Sequence, residues 1–246
     1  MERFFDINYT FGRAATWITI DELLLSLQKG YVCVADGVTL AMTYRNQALK
    51  NILEQSSMTI CDSAWVPVYL RWIYGIKREQ YCGSDFLIDA VKSQKYKLLF
   101  LGSSQETLQA LQKRMAKWNE KISETAFYSI PFKKVEDFDY QEIAGIIRKE
   151  TPDLILISLG MPKQEFFMQR LTPFIERGIL IGVGAAFKFH SGLLNQKRAP
   201  KWMIRAKIEW VYRILSEPKK QITRCWLIVT TLPLIFWKEY RLSKKK

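Results

Sequence analysis

The chain has 246 residues, 48% of them hydrophobic, and a formal net charge of +13 at pH 7. This length and apolar content are enough for one large α/β domain, with or without an appendage, and they exclude an intrinsically disordered chain. Charges interrupt the apolar residues at the N-terminus and no apolar run is long enough to cross a bilayer, so we expect neither a secretory signal nor a transmembrane helix.

Short apolar runs alternate with helical patterns along the chain. The expected strands cover residues 31–34, 58–61, 97–101, a weak segment near Phe127, 153–158 and 178–183. Helical patterns follow the first strand to about residue 53 and then cover 65–72, 104–118, 140–149 and 162–171. Alternation at this spacing is typical of βαβ units and predicts an α/β fold, with a Rossmann-like, mostly parallel sheet and helices on both faces.

The positive charge is concentrated at the C-terminal end. Residues 197–246 contain fourteen lysines and arginines against three glutamates. The expected strands also stop before this segment, so we place a boundary after Pro200. Residues 1–200 are then predicted to form the α/β domain, and residues 201–246 a basic, aromatic-rich helical appendage.

The appendage contains the apolar segment CWLIVTTLPLIFW at residues 225–237, with cations on both sides. It is too short to cross a bilayer, and Pro233 interrupts it. These properties predict a segment that lies on an anionic membrane surface, with Trp226, Phe236 and Trp237 at the level of the headgroups. The alternative is a terminal helix packed on the body of the protein or on a second subunit of a homo-oligomer.

Cysteine usage points to a reducing compartment. Cys33, Cys61, Cys82 and Cys225 form no CxxC pair, and three of them lie in or beside apolar runs. We therefore expect buried, reduced thiols and no zinc site. Together with the missing signal sequence, this predicts a cytoplasmic protein, held at the inner face of the cell membrane by its appendage.

The sequence SLGMPKQEFF at residues 158–167 directly follows the expected strand at 153–158. In an open parallel sheet, ligands bind beyond the carboxyl ends of the strands, so this loop lies where a site is expected. Gly160 permits a turn, and Pro162 suits the first turn of the next helix. An ordinary loop between a strand and a capped helix is the alternative.

Other strand ends supply further candidates for the same site. Glycines and serines at 83–84, 102–104 and 182–184 present backbone N–H groups suited to phosphate. Neither GxxxxGK[ST] nor GxGxxG occurs, which argues against a P-loop ATPase and a standard dinucleotide site. Asp62 follows the strand at 58–61 and is the best-placed general base, with an N-cap role for the next helix as the alternative.

Several short motifs occur in order: GMPKQE at 160–165, GVGAAF at 182–187, RAP at 198–200, EW at 209–210 and EP at 217–218. With these motifs, residues 20–224 resemble the WecG/TagA/CpsF glycosyltransferases (glycosyltransferase family 26). The resemblance implies transfer of an N-acetylhexosamine-type sugar from a UDP-sugar to an undecaprenyl-diphosphate-linked saccharide during the synthesis of bacterial surface polysaccharides. The expected partners are thus a UDP-sugar donor, a polyprenyl-diphosphate-linked acceptor and the membrane surface.

The resemblance also implies roles for individual residues. Asp62 matches the proposed general base. The residues expected at the donor sugar and its diphosphate are Gly83, Asp85, Gln164, Glu165, Arg198, Arg213 and Arg224, and the possible sugar-pocket residues are Asp36 and Lys188. Arginine forks suit a diphosphate without a metal, so we expect a metal-independent enzyme with no cofactor.

A metal site has little support in the residues themselves. His190 is the only histidine, which excludes a multi-histidine site. Asp137 and Asp139 resemble the DxD with which some sugar transferases hold a metal–diphosphate, but their segment EDFDYQE is also typical of an acidic helix entry.

The chain departs from the family pattern at Val34, Asp36, Ser63, Gln80 and Lys188. These positions concern the sugar pocket, so they leave the donor open and keep a non-catalytic membrane scaffold of the same fold as an alternative. A basic nucleic-acid-binding protein is the other alternative. The apolar run in the tail and the lack of an RNP or KH signature argue against it, so we expect no nucleic-acid partner.

Overall fold

The computed structural model describes residues 1–26, 29–193, 203 and 218–244. Its strands are β1 Glu2–Phe4, β2 Ile7–Thr10, β3 Gly30–Ala35, β4 Met58–Cys61, β5 Leu98–Gly102, β6 Ala126–Tyr128, β7 Leu154–Ser158 and β8 Ile179–Gly182. They form one sheet in the order β1-β2-β4-β3-β8-β7-β5-β6. Only the β1–β2 pair is antiparallel, and every other neighbouring pair is parallel.

The helices are α1 Arg13–Leu25, α2 Gly37–Arg45, α3 Gln47–Gln55, α4 Val66–Tyr74, α5 Gly83–Ser93, α6 Gln105–Met115, α7 Tyr140–Glu150, α8 Lys163–Leu171, α9 Ala186–Ser191 and α10 Pro218–Ser243. Short 3₁₀ turns cover Glu120–Glu124, Val135–Asp137 and Thr172–Phe174. Side chains alternate along a strand, so Cys33 packs with the cluster under α2, α3, α4, α7, α8 and α10, whereas Val32 packs with α1, α5, α6 and α9. The predicted α/β fold with helices on both faces is confirmed.

Two local features differ from the sequence-based expectation. The hairpin β1–β2 was not predicted, because its strands are only three and four residues long. The helix expected to run to about residue 53 is instead two helices, α2 and α3. They divide at Asn46, whose side chain accepts a hydrogen bond from Leu49 N–H at 3.0 Å and so begins α3.

The C-terminal helix α10 packs on α2, α4 and the N-terminal hairpin. The carboxylate of Glu239 accepts hydrogen bonds from the Phe5 N–H, at 3.1 Å, and from the Tyr74 hydroxyl. Lys238 forms an ion pair with Asp6 at 2.8 Å. One side of α10 is therefore packed on the body of the protein, as in the alternative of a packed terminal helix.

Phe236 belongs to this packed side. Its ring stacks on Tyr69 with a centroid distance of 3.4 Å, and the residue is only 8% exposed. In this arrangement the Phe236 ring is enclosed between α10 and α4, and it does not lie on the exposed side of α10 with Trp226 and Trp237.

The opposite side of α10 is exposed and largely apolar. Trp226 is 70% exposed and Trp237 is 60% exposed, eleven positions apart on the same side of the helix. Among the residues that the structure describes, no helix has the length and hydropathy needed to span a membrane. The boundary predicted after Pro200 lies outside the described residues.

Candidate active site at the carboxyl ends of the strands

The strand order reverses at β3, which lies between β4 and β8. In an open α/β sheet, the ligand crevice lies at such a switch point, outside the carboxyl ends of the strands. Asp36 follows β3, Asp62 follows β4, and Gly184 lies two residues beyond β8. A backbone hydrogen bond of 3.0 Å from the Asp62 N–H to the Ala35 carbonyl joins the first two segments.

Asp62 is half-buried at this edge, beside the N-terminus of α5. Its Oδ2 accepts a hydrogen bond from the N–H of Gly83, the first residue of α5, at 3.3 Å. The carboxylate thus lies at the N-terminus of α5, the positive end of the helix dipole. A Cβ on Gly83 would lie 3.2 Å from Cγ1 of Val34, so a glycine suits this close packing.

The N-cap role considered for Asp62 belongs to its neighbour. The hydroxyl oxygen of Ser63 accepts hydrogen bonds from the N–H groups of Trp65 and Val66, each at 3.3 Å. Ser63 is buried and stabilises the start of α4. The departure from the family pattern at Ser63 thus has a local structural role, and the Asp62 carboxylate is directed to α5 instead.

The other predicted donor residues near Asp62 occupy helix starts. Asp85 is half-buried in the first turn of α5. Asp36 caps α2, since its Oδ1 accepts hydrogen bonds from the N–H and hydroxyl of Thr39 at 2.8 and 2.9 Å. Lys188 is exposed on α9. The structure therefore brings Asp62, Gly83 and Asp85 together at the start of α5. Asp36 could bind a sugar only while its Oδ1 also accepts the two hydrogen bonds from Thr39.

Gln164 and Glu165 lie beneath the crevice. Gln164 is 2% exposed and Glu165 is 0% exposed. The Gln164 amide donates to Glu165 Oε1 at 3.0 Å, and Gln164 Oε1 accepts from the Gly184 N–H at 3.1 Å. A Cβ on Gly182 would lie 2.8 Å from Gln164 Nε2, so the side chain fits there only because this strand end is a glycine.

Direct contact of Gln164 and Glu165 with the donor was expected from the sequence and stays a prediction, whereas the structure gives both side chains buried positions. Both side chains are buried, and Gln164 holds the loop after β8 in place through its hydrogen bond from the Gly184 N–H. Ser158, at the end of β7, contributes to the same loop, because its hydroxyl donates to the Gly184 carbonyl at 2.6 Å. Sequence reasoning missed this serine; the only signal was a polar residue ending an apolar strand.

Burial raises the pKa of Glu165 from its ordinary value of 4.5 to about 7, and the hydrogen bond from Gln164 offsets part of this effect. Between pH 4.5 and pH 7 the folded chain keeps the proton on Glu165, whereas the unfolded chain releases it. We therefore expect the free energy of unfolding to fall by about 3 kcal/mol as pH rises through this range. Glu165→Gln should remove this pH dependence, as measured by urea unfolding at pH 5 and pH 8.

Glu142→Gln provides the matched control, because Glu142 is exposed on α7. If the Glu165→Gln variant kept the wild-type dependence of unfolding free energy on pH, the buried neutral carboxyl would not be its source.

The predicted cationic residues are only partly described. Arg224 is half-buried on α10, whereas Arg198 and Arg213 lie outside the described residues.

Asp139 of the DxD motif caps α7 by accepting a hydrogen bond from the Glu142 N–H at 2.9 Å, in agreement with the alternative of an acidic helix entry. Within the part of the chain that the structure describes, no group of three or more His, Cys, Asp or Glu residues is placed to hold a metal ion.

None of the four cysteines forms a disulfide. Cys33 and Cys61 are buried, and Cys82 and Cys225 are half-buried. Burial raises the pKa of Cys61 to about 12, so this thiol stays protonated at neutral pH.

Comparison of the sequence with known proteins identifies a family and several relatives. The sequence pattern of the "Glycosyl transferase WecG/TagA/CpsF family" matches residues 7–246. An N-acetylglucosaminyldiphosphoundecaprenol N-acetyl-beta-D-mannosaminyltransferase of Bacillus spizizenii is 28% identical over 179 residues, which are 72% of this chain and 67% of that protein. Proteins of the same name from Bacillus subtilis and Staphylococcus aureus are 26% and 23% identical, over 68% and 81% of this chain and 64% and 75% of their own lengths.

The matched region includes the strand that precedes Asp62, the α5 start that contacts it and the loop held by Gln164. The chain therefore belongs to the WecG/TagA/CpsF family of glycosyl transferases.

Proposed function

We propose that the chain is a metal-independent glycosyltransferase that moves an N-acetylhexosamine-type sugar from a UDP-sugar to an undecaprenyl-diphosphate-linked saccharide. The observation that carries this proposal is the Asp62 carboxylate, placed at the carboxyl edge of the sheet and bonded to the start of α5. The names of the Bacillus and Staphylococcus relatives supply the sugar and lipid classes.

In the proposed reaction, Asp62 accepts the proton of an acceptor hydroxyl as its oxygen attacks the anomeric carbon of the donor sugar. The new glycosidic bond forms while the bond from that carbon to the diphosphate breaks, and UDP leaves with the bonding electron pair. The half-buried setting suits a base, since partial removal of water strengthens its interaction with the hydroxyl. Gln164 and Ser158 hold the loop at Gly184, which we propose as one wall of the crevice.

Positive charge must balance the leaving diphosphate. We assign this role to Arg198, Arg213 and Arg224, whose guanidinium groups can donate two hydrogen bonds to one phosphate. The exposed side of α10, with Trp226 and Trp237, is proposed to rest on the anionic inner face of the cell membrane, where a lipid-linked acceptor resides.

We expect EDTA to leave the initial rate of transfer within about twofold of the untreated rate, because the arginines replace a metal at the diphosphate. The measurement is initial rate with and without EDTA, and after addition of Mg²⁺ or Mn²⁺. Loss of turnover that either ion restores would contradict metal independence and return Asp137 and Asp139 to consideration.

The test of the proposed function is transfer from a panel of radiolabelled UDP-sugars to a polyprenyl-diphosphate-linked N-acetylglucosamine. Transfer from at least one UDP-N-acetylhexosamine is expected. Membrane binding without transfer from any donor would instead support the scaffold alternative.

A further inference from the structure

An aromatic ladder, defined as Trp65, Tyr69 and Trp72, runs along α4 from the candidate base. Its rings follow one another with centroid distances of 6.3 Å and 5.6 Å. Trp65 is 41% exposed and Trp72 is 72% exposed. The ladder begins three residues after Asp62 and extends for about 10 Å along the helix.

The ladder is held in position by α10. Tyr69 is half-buried and stacks on Phe236, and Leu232 of α10 lies beside Gly37, which in turn lies beside Ser63. Trp65, the first residue of the ladder, is joined to the loop that carries Asp62, because its N–H donates a hydrogen bond to the Ser63 hydroxyl at 3.3 Å. Trp65 and Trp72 are exposed on either side of the half-buried Tyr69, and apolar rings grouped on one face of a helix are typical of a surface that binds an apolar ligand.

The two sides of Asp62 differ in chemistry. The sheet order places the glycine-containing ends of β8 and β5 on the β3 side of β4, and these ends present backbone N–H groups suited to a donor diphosphate. α4 follows Asp62 directly, and its exposed face carries aromatic rings. An acceptor whose hydroxyl reaches Asp62 from the α4 side would have its apolar part beside the ladder.

We propose that the aromatic ladder binds the isoprenoid units of the acceptor nearest its diphosphate. The inference rests on the proposed function and adds a binding site for the lipid portion of the acceptor. The ladder contacts one lipid chain at the mouth of the crevice, whereas the exposed side of α10 contacts the bilayer.

The experiment compares two acceptors in solution, without vesicles and below the concentration at which either aggregates. Both carry N-acetylglucosaminyl diphosphate, one linked to a farnesyl chain and the other to a methyl group. For the wild-type chain we expect a kcat/KM at least about tenfold higher with the farnesyl acceptor, because the ladder buries apolar surface only on that chain. In Trp65→Ala/Trp72→Ala, the ratio of the two kcat/KM values should fall toward one, chiefly through KM.

Trp118→Ala is the matched control, since Trp118 is 38% exposed beyond the end of α6 on the opposite side of the sheet. It should keep the wild-type ratio. An unchanged ratio in the double variant would overturn the inference, and so would a ratio near one in the wild-type chain. Weaker vesicle binding with an unchanged ratio would identify the ladder as a bilayer contact and equally overturn it.

The two proposals fail differently. If the wild-type chain transferred sugar to neither acceptor from any donor, the proposed function and the acceptor site would both fall. Equal kcat/KM values for the two acceptors would support the proposed function and contradict only the proposed lipid-binding role of the ladder. Thermal unfolding of each variant shows whether a change in ratio comes from a folded protein.

Discussion

Asp62→Asn should lower the initial rate of sugar transfer by at least about 100-fold, because a general base typically contributes a factor of 10² to 10⁴. Asparagine keeps the size of the side chain and retains an oxygen that can accept the hydrogen bond from Gly83. The N–H of Gly83 therefore keeps a partner, and the fold should be preserved. Transfer assays at saturating donor and acceptor, together with thermal unfolding and UDP binding, provide the measurement.

Asp139→Asn is the matched control for charge removal. Asp139 is an N-cap at the start of α7, and asparagine caps a helix about as well as aspartate. The control should transfer at the wild-type rate. An Asp62→Asn enzyme that kept more than about a tenth of the wild-type rate would speak against Asp62 as the base.

The second large effect is expected at the membrane. Replacing Trp226 and Trp237 together by serine should lower partitioning onto anionic vesicles by at least about tenfold, equivalent to about 1.4 kcal/mol, since both rings are exposed on one side of α10. Activity on a long-chain lipid acceptor presented in vesicles should fall with it. Vesicle flotation and transfer assays measure the two quantities.

The double serine variant is a cleaner test than deleting the C-terminal segment. Glu239 and Phe236 on the packed side of α10 contact the hairpin and α4, so a deletion would expose apolar surface of the body. Trp118→Ser should bind vesicles like the wild type. If the double variant also bound like the wild type, the exposed side of α10 would not be the membrane contact.

Salt should separate two contributions to vesicle binding. Arg241 and Lys244 attract anionic headgroups, and this attraction weakens as added ions screen it. Burial of Trp226 and Trp237 is much less sensitive to salt. The wild-type chain should therefore retain partial binding at high salt, and the double serine variant should lose this remainder.

The sequence alone was sufficient for the fold class and for the position of Asp62. Continuous apolar runs such as 154–158 identify buried parallel strands, because such strands are covered on both faces. The residue after such a strand lies at the carboxyl edge whatever the details of packing, so Asp62 could be placed from its neighbours in the chain. The ordered motifs at 160–165 and 182–187 added the family, which the match over residues 7–246 confirms.

The tertiary structure was needed wherever a side chain could point in two directions. Gln164 and Glu165 follow a strand end that could face a ligand, yet α8 turns them inward, where Gly182 leaves room for the amide. Phe236 and Trp237 are adjacent and both aromatic, but a helix places neighbours about 100° apart, so one packs on Tyr69 and the other is exposed. The hairpin β1–β2 is stabilised through Glu239, more than two hundred residues away in sequence, and no local pattern can report such a contact.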